Sequence, residues 1–123
     1  MDEPGGNVDH ERFLSEVLLP LQEGKPFSYR PYDCRRQALS DPVCVQPRAV
    51  NIIEGSYSCH PALRGHYDLR IFLTVGPEEQ MRRIRVRNGE SCAERFRQKW
   101  IPLEERYFAA CRVAEQCELC YET

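Results

Sequence analysis

Two short apolar runs limit what this chain can fold into. Ala49-Val50-Asn51-Ile52-Ile53 and Leu69-Arg70-Ile71-Phe72-Leu73 are compact and, in the first case, rich in β-branched side chains. Runs of this length are short for helices and suit strands buried on both faces. Helical patterns precede and follow them. Strands that alternate with helices pack as a parallel sheet with helices on its faces, so an α/β fold is expected.

The remaining elements can be read from local signals. Asn7 is a plausible N-cap for a first helix, and Asp9 and Glu11 suit its positive end. Phe13, Leu14, Val17, Leu18 and Leu21 recur at helical spacing, and Pro20 and Gly24 are expected to stop the helix. Residues 27–30 and 43–45 read as short strands of a hairpin arm around a polar loop over 32–40. Glu54-Gly55 closes the first apolar run, and a turn-rich loop carries His60-Pro61. Pro77 opens a helix that Asn88-Gly89 ends. A second helix is expected over about 92–100. A third begins at Pro102, with Leu103, Tyr107, Ala110, Cys111 and Ala114 as its inner face. Residues 118–121 read as a final strand.

Composition narrows the function classes. With 123 residues the chain is one domain or part of one. A formal net charge of -2 and a pI near 5.9 give no global attraction to nucleic acid or to an anionic membrane. No apolar run is long enough to span a bilayer. The opening Met1-Asp2-Glu3-Pro4 is polar and acidic, unlike a signal peptide, so a cytoplasmic location is expected. Seven cysteines, an odd number without paired spacing, read as free thiols rather than a disulfide scaffold. Cys117-x-x-Cys120 is half of a zinc site at most, with no second CxxC or His pair to complete it.

Four constellations can carry chemistry. Glu54 follows an apolar run, and ligands in open α/β sheets bind beyond the carboxyl ends of strands. An acid there can hold Mg²⁺ through its water shell, or serve as a simple loop carboxylate. Arg82, Arg83, Arg85 and Arg87 share one helix, and Arg83 and Arg87, four apart, share a face. Guanidinium forks match phosphate oxygens. The alternative is a solvated face held by Glu78–Arg82 and Glu79–Arg83 pairs. Tyr29, Tyr32 and Asp33, with Arg35 and Arg36, can stack on a base and accept from sugar hydroxyls, or can pack as an ordinary aromatic strand. His60 can touch a ligand or bond its own loop.

Taken in order, these segments resemble the uridine kinase branch of the P-loop kinases. Asn7-Val8-Asp9 is similar to the stretch after the family's catalytic loop, and Pro31-Tyr32-Asp33 to its Tyr-Asp motif. Ile52-Ile53-Glu54-Gly55-Ser56-Tyr57 resembles the Walker B-type strand. Tyr67-Asp68-Leu69-Arg70-Ile71-Phe72-Leu73 and the arginines after it resemble the next strand and the lid. Trp100-Ile101-Pro102-Leu103-Glu104 and Tyr107-Phe108 also fit, especially with bacterial uridine kinase-like proteins.

The resemblance implies a parallel-sheet, three-layer P-loop kinase fold, present here as one partial domain over 1–123. A nucleoside-binding arm would span about 26–46, and the lid and C-terminal helices about 77–115. It implies ATP- and Mg²⁺-dependent phosphorylation of a nucleoside hydroxyl. Glu54 would help hold the metal through water, Arg83 and Arg87 would face the phosphates, and Tyr32, Asp33, Arg35 and His60 the acceptor.

One departure carries a consequence. No GxxxxGK[ST] occurs in the sequence, and the Gly24-Lys25 pair is followed by Pro26. A phosphate cradle needs successive backbone N–H groups at a helix start, plus a lysine. The first strand, the P-loop and the second strand of the family fold are therefore expected to be missing, and this chain alone to be inactive as a kinase. The alternatives are a non-catalytic nucleoside- or partner-binding derivative, and a structural module that self-associates through exposed strand edges.

Overall fold

The computed structural model describes residues 4–6 and 8–123. They divide into two compact units: residues 9–55, and residues 56–123 with those before Asp9.

In the first unit a helical path runs from α1 (His10–Phe13) to α2 (Leu19–Glu23). Asp9 is its N-cap, accepting from the Arg12 N–H at 3.1 Å, while Asn7 lies outside the described residues. Pro20 does not end the helix. Leu14–Leu18 form a π turn in which the Leu19 N–H reaches the Leu14 carbonyl. Pro20 has no N–H for the Glu16 carbonyl, and its ring would collide with that carbonyl in a regular turn. Widening the turn relieves both problems. The path ends at Gly24, whose φ of 73° suits a left-handed cap that most side chains resist. Leu18 is the buried residue of the apolar stripe.

The hairpin arm forms as its sequence suggests. β1 (Phe27–Tyr29) pairs antiparallel with β4 (Val43–Val45), Ser28 opposite Cys44. Inside it, β2 (Tyr32–Asp33) pairs with β3 (Ala38–Leu39). The Arg30 Nε donates to the Ser40 carbonyl at 2.9 Å and ties the two levels together.

The apolar run over 49–53 is not a strand, which corrects the expectation of a buried parallel strand there. Val50 and Ile52 are 77% and 85% exposed. A strand needs a neighbour for its N–H and C=O groups, and none of the described strands pairs with this run. Asn51 ties off the backbone locally instead. Its Oδ1 accepts from the Arg48 N–H at 3.0 Å and its Nδ2 donates to the Arg48 carbonyl at 2.9 Å.

The second unit mixes helix and strand. β5 (Ile71–Thr74) and β6 (Leu119–Glu122) pair in parallel, Ile71 opposite Leu119 and Leu73 opposite Tyr121. Between them come α3 (Pro77–Asn88), α4 (Glu90–Arg95) and α5 (Ile101–Ala110). A second π turn, Phe96–Trp100, precedes Pro102 as the first precedes Pro20, for the same steric reason. The α/β character is thus present, with one parallel pair. Each sheet among the described residues has two strands, so the multi-stranded sheet of a three-layer fold does not form within them.

The core of this unit is Leu63, Ile84, Ala93, Tyr107 and Val113, with His60 beside them. Tyr57 and Tyr107 pack at a tilt with centroids 4.8 Å apart, and Phe72 meets Phe108 edge-on at 5.1 Å. The inner face expected of the last helix holds at Tyr107 but not at Ala110 and Ala114, which are exposed. α5 ends at Ala110 and Arg112 takes a φ of 50°, so the chain turns out of helical phase and buries Val113 instead.

Candidate functional site

α3 is written by local signals. Pro77 sits at its start, Glu78 and Glu79 lie at its positive end, and Gly89 takes a φ of 88° at its exit. Ile84 is the buried anchor, which turns the Arg83 and Arg87 side toward a cleft of about 240 Å³. Arg83, Arg87, Gln80 and Ile84 of α3 line it with Ser56, Val75, Phe96, Ile101 and Glu104. The Ser56 hydroxyl donates to the Glu104 carboxylate at 3.0 Å and fixes the opposite wall.

The two arginines are not equivalent. Arg83 donates from Nε to Glu79 at 2.8 Å and from its Nη atoms to the Thr123 hydroxyl and carbonyl, so it is held on three sides. Glu79 also receives Arg82, at 2.7 Å. Hydrogen bonds from Arg82 and then Arg83 hold the Glu79 carboxyl down at about 2. The Arg87 Nε bonds the neutral Asn88 side-chain oxygen, which leaves its charge uncompensated by that contact. Arg82 and Arg85 bond Glu79 and Glu90, the solvated ion pairs that a charged helix face ordinarily carries. The arginine run therefore divides into two that line the cleft and two that do not.

The other expected site residues lie elsewhere. Glu54 is exposed in an irregular segment of the first unit, so the premise that a buried strand delivers it to a sheet edge is corrected. Tyr32 is 55% exposed at the end of the arm. The Asp33 Oδ1 accepts from the backbone N–H of Arg35 at 2.9 Å and of Arg36 at 3.3 Å, closing the turn of the arm. Arg35 is exposed in that turn. His60 is buried, and its Nδ1 accepts from the Ala62 N–H at 3.0 Å. Its ring lies parallel to Tyr107, where a side chain at Gly5 would press on both rings. The loop-bonding alternative describes its contacts; it does not line the cleft.

Sequence reasoning missed Ser56, Gln80 and Glu104 as lining residues. Gln80 was within reach, since it lies three before Arg83 on the same helix face. Ser56 and Glu104 carried no signal, because they meet only through tertiary packing across 48 residues. The Arg70–Glu118 pair was also missed. The Arg70 guanidinium donates to Glu118 at 2.6 Å, its backbone N–H donates at 2.7 Å, and the carboxyl is held at about 2.

The residues present do not by themselves fit a Mg–ATP site. Among the described residues no group of three or more His, Cys, Asp and Glu side chains is placed to hold a metal ion, and the sequence has no phosphate-cradling loop. Burial, with Cys59 close by, pushes the Cys117 thiol up to about 11, toward an inert protonated state. Among the described residues no helix is long and apolar enough to cross a membrane. No protein-family model and no curated protein matches the chain.

Proposed function

We propose that the chain is a derivative of a uridine kinase-type phosphotransferase that keeps a phosphate-facing cleft and does not itself transfer phosphate. The parent chemistry is ATP-dependent phosphorylation of a nucleoside hydroxyl. One observation supports the retained part: two guanidiniums from one helix face line a single cleft with Glu104, and Arg87 has no ion pair among the described residues. Arginine forks on such a face suit a phosphate group, such as that of a phosphorylated nucleoside. Without successive N–H donors and a lysine, these 123 residues have nothing to align a triphosphate for attack.

The test separates binding from turnover. Uridine monophosphate or pyrophosphate at millimolar concentration is expected to raise the Tm. Arg87→Gln is expected to remove most of that rise while leaving the unliganded Tm in place, because Arg87 makes no ion pair among the described residues. Arg83 is a poorer probe, since it also holds Glu79 and Thr123. No shift, or an equal shift in Arg87→Gln, would remove the binding claim. Labelled ATP with uridine or cytidine is expected to yield no phosphorylated nucleoside; turnover by this chain would overturn the inactivity.

A further inference from the structure

The edge-on contact of Phe72 with Phe108 fixes which side of the β5–β6 pair faces the helices. Side chains alternate along a strand, so Ile71 and Leu73 project from the other side. The parallel register sets Leu119 beside Ile71 and Tyr121 beside Leu73 on that same side. All four are open to solvent, at 47%, 60%, 38% and 54% for Ile71, Leu73, Leu119 and Tyr121. Leu69, just before β5, is 55% exposed. Parallel pairs are ordinarily covered on both faces. This one shows an uncharged apolar face with an aromatic at one corner, the composition of an interface centre.

We infer that this face is a homodimer interface, covered by the same face of a second copy. Three features favour a copy over another occupant. The exposed area of these five side chains is about 500 Å² per copy, and two such faces reach the ~1,000 Å² at which a specific contact becomes plausible. Charge does not oppose the approach: Arg70 and Glu118, at the start of the strands, already neutralise each other within each copy. A net charge of -2 gives little long-range repulsion between copies. An area at the lower end of the range makes the dimer weak and concentration-dependent.

Sedimentation velocity under reducing conditions, from micromolar to millimolar protein, tests this. The mass is expected to climb from 14.4 kDa toward twice that value. Leu73→Lys is expected to weaken association at least about tenfold, since two lysine charges would be buried in each dimer. Val50→Lys, at a 77% exposed position of the other unit, is expected to leave association unchanged. Far-UV circular dichroism checks the fold of both variants, and Tyr121→Lys carries the same test should Leu73→Lys unfold. A single 14.4 kDa species up to millimolar concentration would overturn the inference. So would assembly beyond a dimer, undiminished association of the face variants, or an equal loss in Val50→Lys.

Discussion

Tyr107 is fully enclosed, and its hydroxyl has no hydrogen-bond partner among the described residues. Burial raises its pKa, so the group stays neutral, but an enclosed neutral hydroxyl without a partner still carries a desolvation cost. The ring does the opposite, packing on Tyr57 and Phe108 with centroids 4.8 and 5.3 Å away. Removing the oxygen and keeping the ring should therefore help. Tyr107→Phe is expected to raise stability by about 1 kcal/mol in urea unfolding, whereas Tyr107→Ala should lower it by roughly 3–5 kcal/mol. A clear loss in Tyr107→Phe would mean that the hydroxyl is satisfied in solution. The same distinction between what a residue type offers and what its neighbours take up applies to Asp33. Its carboxylate is an obvious acceptor for sugar hydroxyls, yet one oxygen is already spent on two backbone N–H groups.

At the scale of elements, signals confined to one turn transfer well from sequence to structure, and strand signals transfer only where a partner strand arrives. Pro77 and Gly89 bracket α3 because a missing N–H and a positive φ act on the residues beside them. The strand over 49–53 failed because β-branched content expresses a preference that becomes a strand only when another backbone lies alongside. The prolines at 20 and 102 show a third case, in which a strong local rule is met by a change of helical geometry rather than by a stop. One substitution tests the correction at 49–53. Ile52→Lys is expected to change stability by less than about 0.5 kcal/mol, as surface substitutions do, because Ile52 is 85% exposed. A loss of several times that, read from the urea midpoint, would place Ile52 in a packed environment.

For the molecule as a whole, carboxylates held by arginines contribute to the acid side of the stability curve, Glu118 and Glu79 foremost, with Glu94 lowered in the same direction by Arg97. The hydrogen bond from Arg70 holds Glu118 at about 2, and those from Arg82 and Arg83 hold Glu79 at about 2, against an ordinary value of 4.5. A pKa depressed by folding means that these groups stabilise the folded state above pH 4.5 and lose that contribution as pH falls toward 2. Urea midpoints measured across this window should decline, and Glu118→Gln should flatten part of the decline while leaving the slope above pH 5 untouched, about where both states are ionised. An unchanged acid slope in Glu118→Gln would mean that the Arg70 contact does not persist. The sequence alone determined the helix over 77–88, the hairpin arm, the two strands that became β5 and β6, and the shared face of Arg83 and Arg87. The helix and the arginine face are set by groups within a few residues of one another, and the strands carry a local preference that their pairing partners complete. Only the tertiary structure decided that the 49–53 run stays unpaired, that Ser56 and Glu104 join the arginine cleft, and that Arg70 clamps Glu118. Those outcomes depend on which distant segment arrives to share a hydrogen bond or exclude water, and no local preference encodes that arrival.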